Sequence, residues 1–413
     1  MVIQPTTPTP QLPFDSRSIR PKMAAPFLND IAENGKLFLE TQDDGARRKI
    51  IAAASSLIAS LENPGEVMAR IGWGEPTKAA ALRTAFELGI LKKLSDKPLS
   101  SVQLAEGTKA DPTLVARVMK HLAANDLVKE VGQDSYVATP FSGATQDPTI
   151  AGGLTYSFEG MIPTFYGLPE FLAKTDYQNP TNAEDGPVQH GLKTTQPFFG
   201  ILQSNQRLGS AFNNFMTGYA KMRPRWYDFY PALEQLGGSN TTKSPLLVDV
   251  GGGLGHELIG FHAAQGEQLK GQLVLQDLPS VIQEATDSKL LPSAIQAAPH
   301  DFFQPMPEEY KGARAYFMRL ILHDWPDSQC QTILDNLRDA MVKGHSKVII
   351  NEAVLNDVGA PWQQTSLDWT MMGMLVSRER TESQWRDLLA KSGLKITGIW
   401  SKEAENVIEA ELI

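Results

Sequence analysis

Three groups of residues in this 413-residue chain have types and spacings that could do chemistry. The first is the run Leu246-Leu247-Val248-Asp249-Val250-Gly251-Gly252-Gly253-Leu254-Gly255-His256-Glu257. Its β-branched start suits a buried strand of a parallel sheet, its glycines let the backbone turn sharply beneath a ligand, and an apolar helical rhythm begins at Glu257. A strand, a glycine turn and a helix start make a place for a nucleotide-like cofactor. The second group is acidic. Asp277 ends the apolar run 272–276 and lies twenty-two residues beyond Gly255, where a carboxylate can accept both ribose hydroxyls of an adenosine. Asp301 can likewise accept an adenine amino group while Phe302 covers the ring. The third group is His323-Asp324-Trp325, at the end of the apolar run 316–322. Ligands in open α/β sheets bind beyond the carboxyl ends of the strands, so His323 and Asp324 are expected to face the cofactor crevice.

Dinucleotide enzymes use the spacing G-x-G-x-x-G, but His256 stands where the third glycine would fall. The spacing here is G-x-G-x-G, ending at Gly255 and preceded by Asp249. It resembles motif I of the S-adenosylmethionine-dependent methyltransferases, whose cofactor has no pyrophosphate to cradle. A nicotinamide dehydrogenase is the rival reading of the turn.

Five strand-helix alternations are expected to position these groups, with strands over 246–250, 272–277, a third ending at Asp301-Phe302, 316–322 and 347–352. An antiparallel pair over 395–400 and 406–412 closes the sheet, and Thr381 caps a helix reaching Lys391. Upstream, residues 1–22 are rich in Pro, Thr and Gln and are expected to form a flexible arm. Helical periodicity runs through 45–61 and 79–94. Ser100 with Gln103, and Asp111 with Pro112, mark two more helix starts. Two short strands around the turn Gly132-Gln133-Asp134 complete a winged helix, assigned to 23–150. The connector 151–235 is dense in aromatic and methionine residues, the composition of a helix core or of a pocket for a flat ligand. The domain 236–413 holds the cofactor run.

The formal charge of -9 argues against general affinity for nucleic acid or an anionic membrane. Arg117, Lys120 and His121 are too few to make the helix after Asp111 a DNA reader, so that unit is expected to pair with a second copy. The single cysteine, Cys330, is expected to be a small buried hydrophobe. No signal-like N-terminus or membrane-length apolar run occurs, and a cytosolic location is expected.

Asp249-Val250-Gly251-Gly252-Gly253-Leu254-Gly255, Asp277-Leu278-Pro279, Asp301-Phe302-Phe303, His323-Asp324-Trp325, Asn351-Glu352 and Arg378-Glu379-Arg380-Thr381 occur in an order that resembles the caffeate-type small-molecule O-methyltransferases. The shapes of Leu168-Pro169-Glu170-Phe171-Leu172 and Phe212-Asn213-Asn214-Phe215-Met216 are similar to fungal members of secondary-metabolite pathways. The resemblance covers about residue 80 to the C-terminus. It implies a winged-helix dimerisation domain before a Rossmann-like domain with a mostly parallel seven-stranded sheet, in a homodimer. It also implies that Gly251, Gly253 and Gly255 with Asp249 hold the methionine portion of S-adenosylmethionine, Asp277 and Leu278 the ribose, and Asp301 with Phe302 the adenine. Arg319 stands where plant members carry a lysine beside the adenosine. His323 corresponds to the catalytic base, and Glu352 and Glu379 to two acids flanking its imidazole. No metal is expected.

Methyl transfer from a sulfonium needs alignment of donor and acceptor and removal of one proton. An imidazole of pKa ~6.5 can serve a phenol-like hydroxyl of pKa ~10 and serves an alkyl alcohol poorly. Asp324 is placed to hydrogen-bond a neighbouring substrate oxygen. Trp369, Met371, Met372 and Met374, with Phe212 and Met216 from the connector, have the types to line a ring pocket or a helix core. The expected activity is O-methylation of an aromatic or polycyclic metabolite, yielding S-adenosylhomocysteine. N-methylation in the same fold and a winged-helix ligand-responsive regulator are the alternatives.

Overall fold

The computed structural model describes residues 16–221, 223–237 and 244–413. They fall into two compact units, one ending at Gly143 and the other running from Ala144 to Ile413. Of the segment expected to be a flexible arm, residues 1–15 lie outside the described residues, and from Ser16 the chain is helical.

The first unit opens with α1 (Ser16–Thr41), α2 (Asp44–Leu61) and α3 (Pro64–Ala69). The Asp43 carboxylate accepts from the Ala46 amide and starts α2. A five-residue π turn, Arg70–Gly74, leads into α4 (Glu75–Glu87), which stops before Gly89 at φ 67°. These helices leave large apolar groups in solvent, among them Ile51, Ile58, Met68, Ile71 and Trp73. Further on, α5 (Ser101–Ala105) carries the expected capping box between Ser100 and Gln103, and α6 (Pro112–Ala124) is capped by Asp111. The antiparallel hairpin β1 (Lys129–Gly132) and β2 (Ser135–Val137) follows. Ala85, Leu104, Val115, Met119, Leu122 and Tyr136 share one core, so the helix-turn-helix and its wing pack as expected. The helix α7 (Pro140–Ala144) follows the wing.

The second unit begins with connector helices α8 (Pro148–Tyr156), α9 (Ile162–Lys174), α10 (Pro187–Leu192), α11 (Phe198–Ser204), α12 (Gln206–Lys221) and α13 (Ala232–Leu236). Its aromatic residues divide between two tasks. Trp226 and Tyr230 pack under the sheet against Phe261 and Phe317. Tyr156, Phe198, Phe212 and Phe215 form a separate cluster, with Phe212 edge-on to Tyr156 at 5.2 Å between ring centroids.

The α/β part runs β3 (Leu247–Val250), α14 (His256–Gln265), β4 (Leu273–Asp277), α15 (Pro279–Asp287), β5 (Ile295–Pro299), β6 (Ala315–Arg319), α16 (Asp327–Ala340), β7 (Lys347–Asn351), β8 (Val354–Leu355), α17 (Trp362–Leu375), β9 (Arg380–Thr381), α18 (Glu382–Lys391), β10 (Leu394–Lys402) and β11 (Glu405–Leu412). The sheet order is β10-β11-β7-β6-β3-β4-β5. β11 alone runs antiparallel to its neighbours, so the sheet is the mostly parallel seven-stranded one expected. Alternation sends Val248, Tyr316, Met318 and Val348 into one core layer and Leu247, Phe317 and Ile349 into the other. The chain returns across β3 to lay β6 on its other side, and that reversal opens a crevice at the carboxyl ends of β3 and β6.

One strand is shorter than its apolar run. β6 stops at Arg319 rather than reaching Leu322, because Leu320 adopts φ 54° and breaks the ladder. The chain then tightens into a 3₁₀ turn over Leu322–Asp324. β8 and β9 pair as a separate two-stranded piece that carries Arg380.

Candidate active site

The glycine turn lies at the mouth of the crevice. Gly251, Gly253 and Gly255 have φ of 73°, 59° and 81°, a region that side-chain-bearing residues rarely occupy. A Cβ on Gly251 would lie 2.7 Å from Ile321 Cδ1, whereas one on Gly253 would meet nothing within 4 Å. The turn is therefore closed on the side of the His323 segment and open at Gly253. The Gly253 amide donates to Asp277 Oδ2 at 2.8 Å, and the Leu278 amide to Oδ1 at 2.7 Å. Asp277 thus ties the turn to the end of β4, with acceptor lone pairs left over. Leu278 is half exposed. Phe302 lies 3.4 Å from the same Gly251 position, while Asp301 accepts from the Phe303 amide.

Asp249 is buried at the floor, and burial followed by repulsion from Glu257 and Asp277 pushes its carboxyl well above the usual range. Arg319 sits at the end of β6 with its guanidinium on Glu257 Oε1, which Arg225 also reaches at 3.4 Å. Sequence reasoning marked Arg319 but missed this partner, although Glu257 stands two residues past the last glycine. Asp249 Oδ2, Glu257 Oε2 and Arg319 Nε have no partner among the described residues. Buried polar atoms are seldom left so. Unpaired acceptors and an unpaired cationic donor beside an open glycine turn suit a ligand that carries both an ammonium and a carboxylate, as S-adenosylmethionine does.

His323 lies in the 3₁₀ turn and is buried. Its Nδ1 is 2.8 Å from Glu379 Oε1, and its Nε2 is 3.4 Å from Asp324 Oδ1. Glu379 is fixed in turn by its own amide, which donates to Asp368 at 2.9 Å. The second acid acts on the ring by its charge while its hydrogen bonds go to the backbone. Glu352 Oε1 accepts from the backbone amides of Ile321 (3.0 Å) and Leu322 (2.6 Å), so it holds the turn rather than bonding to the imidazole. Burial pushes Glu352 up to about 7. Burial also disfavours the charged imidazole, but Asp324, Glu379 and Glu352 together outweigh it and raise His323 to about 9.

A base role for His323 would require the proton-free imidazole, and a raised pKa would then move the acid limb of kcat/KM upward from ~6.5 toward about 9. Activity is expected to climb through that interval. Glu379→Gln removes the ring's charged partner and is expected to move the limb down. Paired pH-rate profiles check this, and identical limbs would count against the pairing. The same linkage contributes stability that is complete below ~6.5 and lost as pH rises through about 9.

The helix α17 packs against the His323 turn and against α9 and α10. Met371 and Met374 are core residues of that helix, Met372 is partly buried, and Trp369 is half exposed. Phe212 packs against the cluster of Tyr156 and Met374, and Met216 is partly buried on the same helix as Phe212. Tyr156 also feels the charge of Asp324; the aromatic density of the connector contained it, but nothing in the sequence distinguished it from its neighbours. Cys330 is buried, with its thiol directed at the carbonyls of Leu322 (3.1 Å) and Trp325 (3.2 Å), and burial pushes it up to about 12. Among the described residues no helix is long and apolar enough to cross a membrane.

Residues 232–395 match the family described as O-methyltransferase domain, and residues 77–145 the O-methyltransferase dimerisation domain. The O-methyltransferase mfmE of Annulohypoxylon moriforme is 32% identical over 401 residues, covering 96% of this chain and 97% of its own. The demethylsterigmatocystin 6-O-methyltransferase of Aspergillus parasiticus is 32% identical over 374 residues, covering 90% and 93%. Among solved structures, the LepI complex with SAM superposes with a TM-score of 0.80 at 30% identity, covering 94% of this chain and all of that one. A structure described as a pericyclic reaction enzyme superposes at 0.79 and 31% identity, covering 92% and 98%.

Proposed function

Because the chain belongs to the S-adenosylmethionine-dependent O-methyltransferases of fungal secondary metabolism, we propose that it methylates an acidic, phenol-like hydroxyl of a planar aromatic or polycyclic metabolite, with His323 as general base. One observation carries this reading. Glu379 holds Nδ1 at 2.8 Å, which fixes the tautomer and leaves Nε2 as the basic nitrogen.

Bound S-adenosylmethionine supplies an already activated methyl group. In this proposal Gly251, Gly253, Gly255, Asp249 and Arg319 hold its amino-acid end, Asp277 and Leu278 its ribose, and Asp301 with Phe302 its adenine. Nε2 of His323 would take the proton of the acceptor hydroxyl and Glu379 would stabilise the imidazolium, the methyl group passing from sulfur to oxygen with S-adenosylhomocysteine released. A base near 9 is closely matched to a hydroxyl of pKa ~10, so the proton transfer is nearly balanced. Asp324 accepts from a second polar group of the acceptor. Phe212, Met216, Trp369 and Met372 contact its ring.

The test is to incubate the protein with methyl-labelled S-adenosylmethionine and fractionated fungal phenolics. A labelled methyl ether is the expected product. Label on nitrogen would replace the acceptor class. An altered acceptor without label would favour a second reading, a pericyclic rearrangement, which the likeness to the structure so described motivates.

We also propose a homodimer built by the segment 23–150, with the connector 151–235 and the domain 236–413 forming the catalytic part. The match to a dimerisation domain supports it, as do the exposed apolar groups of α2 and α3 and of the turn after α3. Trp73, 62% exposed, lies just before that match. Trp73→Glu is expected to weaken self-association at least tenfold, read by light scattering across a dilution series.

A further inference from the structure

The segment that carries His323 is not a regular element. It leaves β6 through Leu320, a leucine at φ 54°, and turns again over Leu322–Asp324. Such backbone persists only where its surroundings hold it. On the amide side the holder is Glu352. On the carbonyl side it is Arg380, a fully buried arginine at the start of β9. Its Nη1 donates to the Leu322 carbonyl at 3.0 Å and its Nη2 to that of Trp325 at 3.2 Å, so the two contacts bracket His323 and Asp324. The guanidinium is itself fixed by Asp327 Oδ1, at 3.1 and 2.8 Å, and lies 5.2 Å above the Trp385 ring.

Arg380 also directly follows Glu379 in the chain. One short stretch therefore supplies the carboxylate that fixes the imidazole and the cation that fixes the backbone beneath it. We propose that Arg380 is a positioning residue for the base: its fork holds the 322–325 turn in register with Glu379, so that Nε2 stays aimed at the acceptor. The inference rests on the reading of His323 as the base.

A lysine offers a point charge in place of a planar fork and can serve one carbonyl but not both. Arg380→Lys is expected to lose about tenfold in kcat and Arg380→Met about a hundredfold, the cost of a small misplacement at a reacting centre. KM for S-adenosylmethionine is expected to stay within about threefold, since the hydrogen bonds of Arg380 among the described residues run to Leu322, Trp325, Asp327 and Cys330 rather than to the glycine turn. The acid limb of kcat/KM is expected to move down in both variants, because the ring no longer sits squarely on Glu379. A merely structural role would lower the melting temperature without moving that limb.

Should both variants fail to fold, Asp327→Asn frees the guanidinium from its half-exposed anchor and is expected to shift kcat and the limb in the same direction by a smaller amount. Folded protein with kcat and limb within twofold of the parent would overturn the proposal, as would a loss confined to the KM of S-adenosylmethionine. His323→Ala, measured alongside, separates the two readings. If it is inactive while the Arg380 variants are not, only the positioning role fails; if it is active, the base reading fails first.

Discussion

His323→Ala is expected to reduce kcat by about 10²–10⁴-fold, the usual contribution of a positioned general base, while S-adenosylmethionine binds by calorimetry as it does to the parent. The separation follows from geometry. The imidazole's contacts run to Glu379 and Asp324, whereas the glycine turn is tied to Asp277 on β4. Removing the ring leaves the buried Glu379 carboxylate without its partner, so part of the loss will appear as stability, and a thermal midpoint must be read with the kinetics. Full activity in the variant would sink the assignment of the base. An acceptor that loses its proton readily should depend least on His323, so the loss is expected to shrink across a series of increasingly acidic phenols.

Gly251→Val is expected to weaken cofactor binding. At φ 73° a β-branched residue is strained, and its Cβ would meet Ile321 Cδ1 at 2.7 Å. In the free protein the turn would relax to a lower-energy shape, and binding would have to restore the strained one. A strain of about 1–3 kcal/mol corresponds to roughly 5–150-fold in affinity. Gly253→Ala is the control: its φ of 59° is unfavourable too, but its Cβ meets open space, so the affinity loss should be smaller. Titration calorimetry with S-adenosylmethionine distinguishes them, and equal affinities for parent and Gly251→Val would refute the account of the turn.

Much of the fold was legible because its signals are local. The run at β3 is apolar because a central parallel strand is buried on both faces, and the glycines after it mark the turn that follows. Ser100, Asp111 and Thr381 announce helix starts because capping is decided within three or four residues. The end of β6 was not legible. Residues 320–322 continue the apolar pattern of the strand, and nothing in that pattern registers the φ of Leu320, which contacts with distant residues impose. The exposed apolar face of the first helices was equally hidden, since its periodicity is that of any buried helix.

The sequence by itself determined the class of fold, the place of the glycine turn and which acids and histidine lie at the ends of the strands. All of these depend on residues near in the chain or on motif spacing. Only the tertiary structure decided how the acids divide their work. Glu352 and Glu379 are both buried carboxylates near one histidine, yet one accepts two backbone amides and the other meets the ring. That division follows from where β7 ends and β9 begins relative to β6, elements brought together over long stretches of chain that local pattern does not record. The raised pKa of His323 follows for the same reason, because it sets burial against the charge of the adjacent Asp324 and of two acids brought in from separate segments.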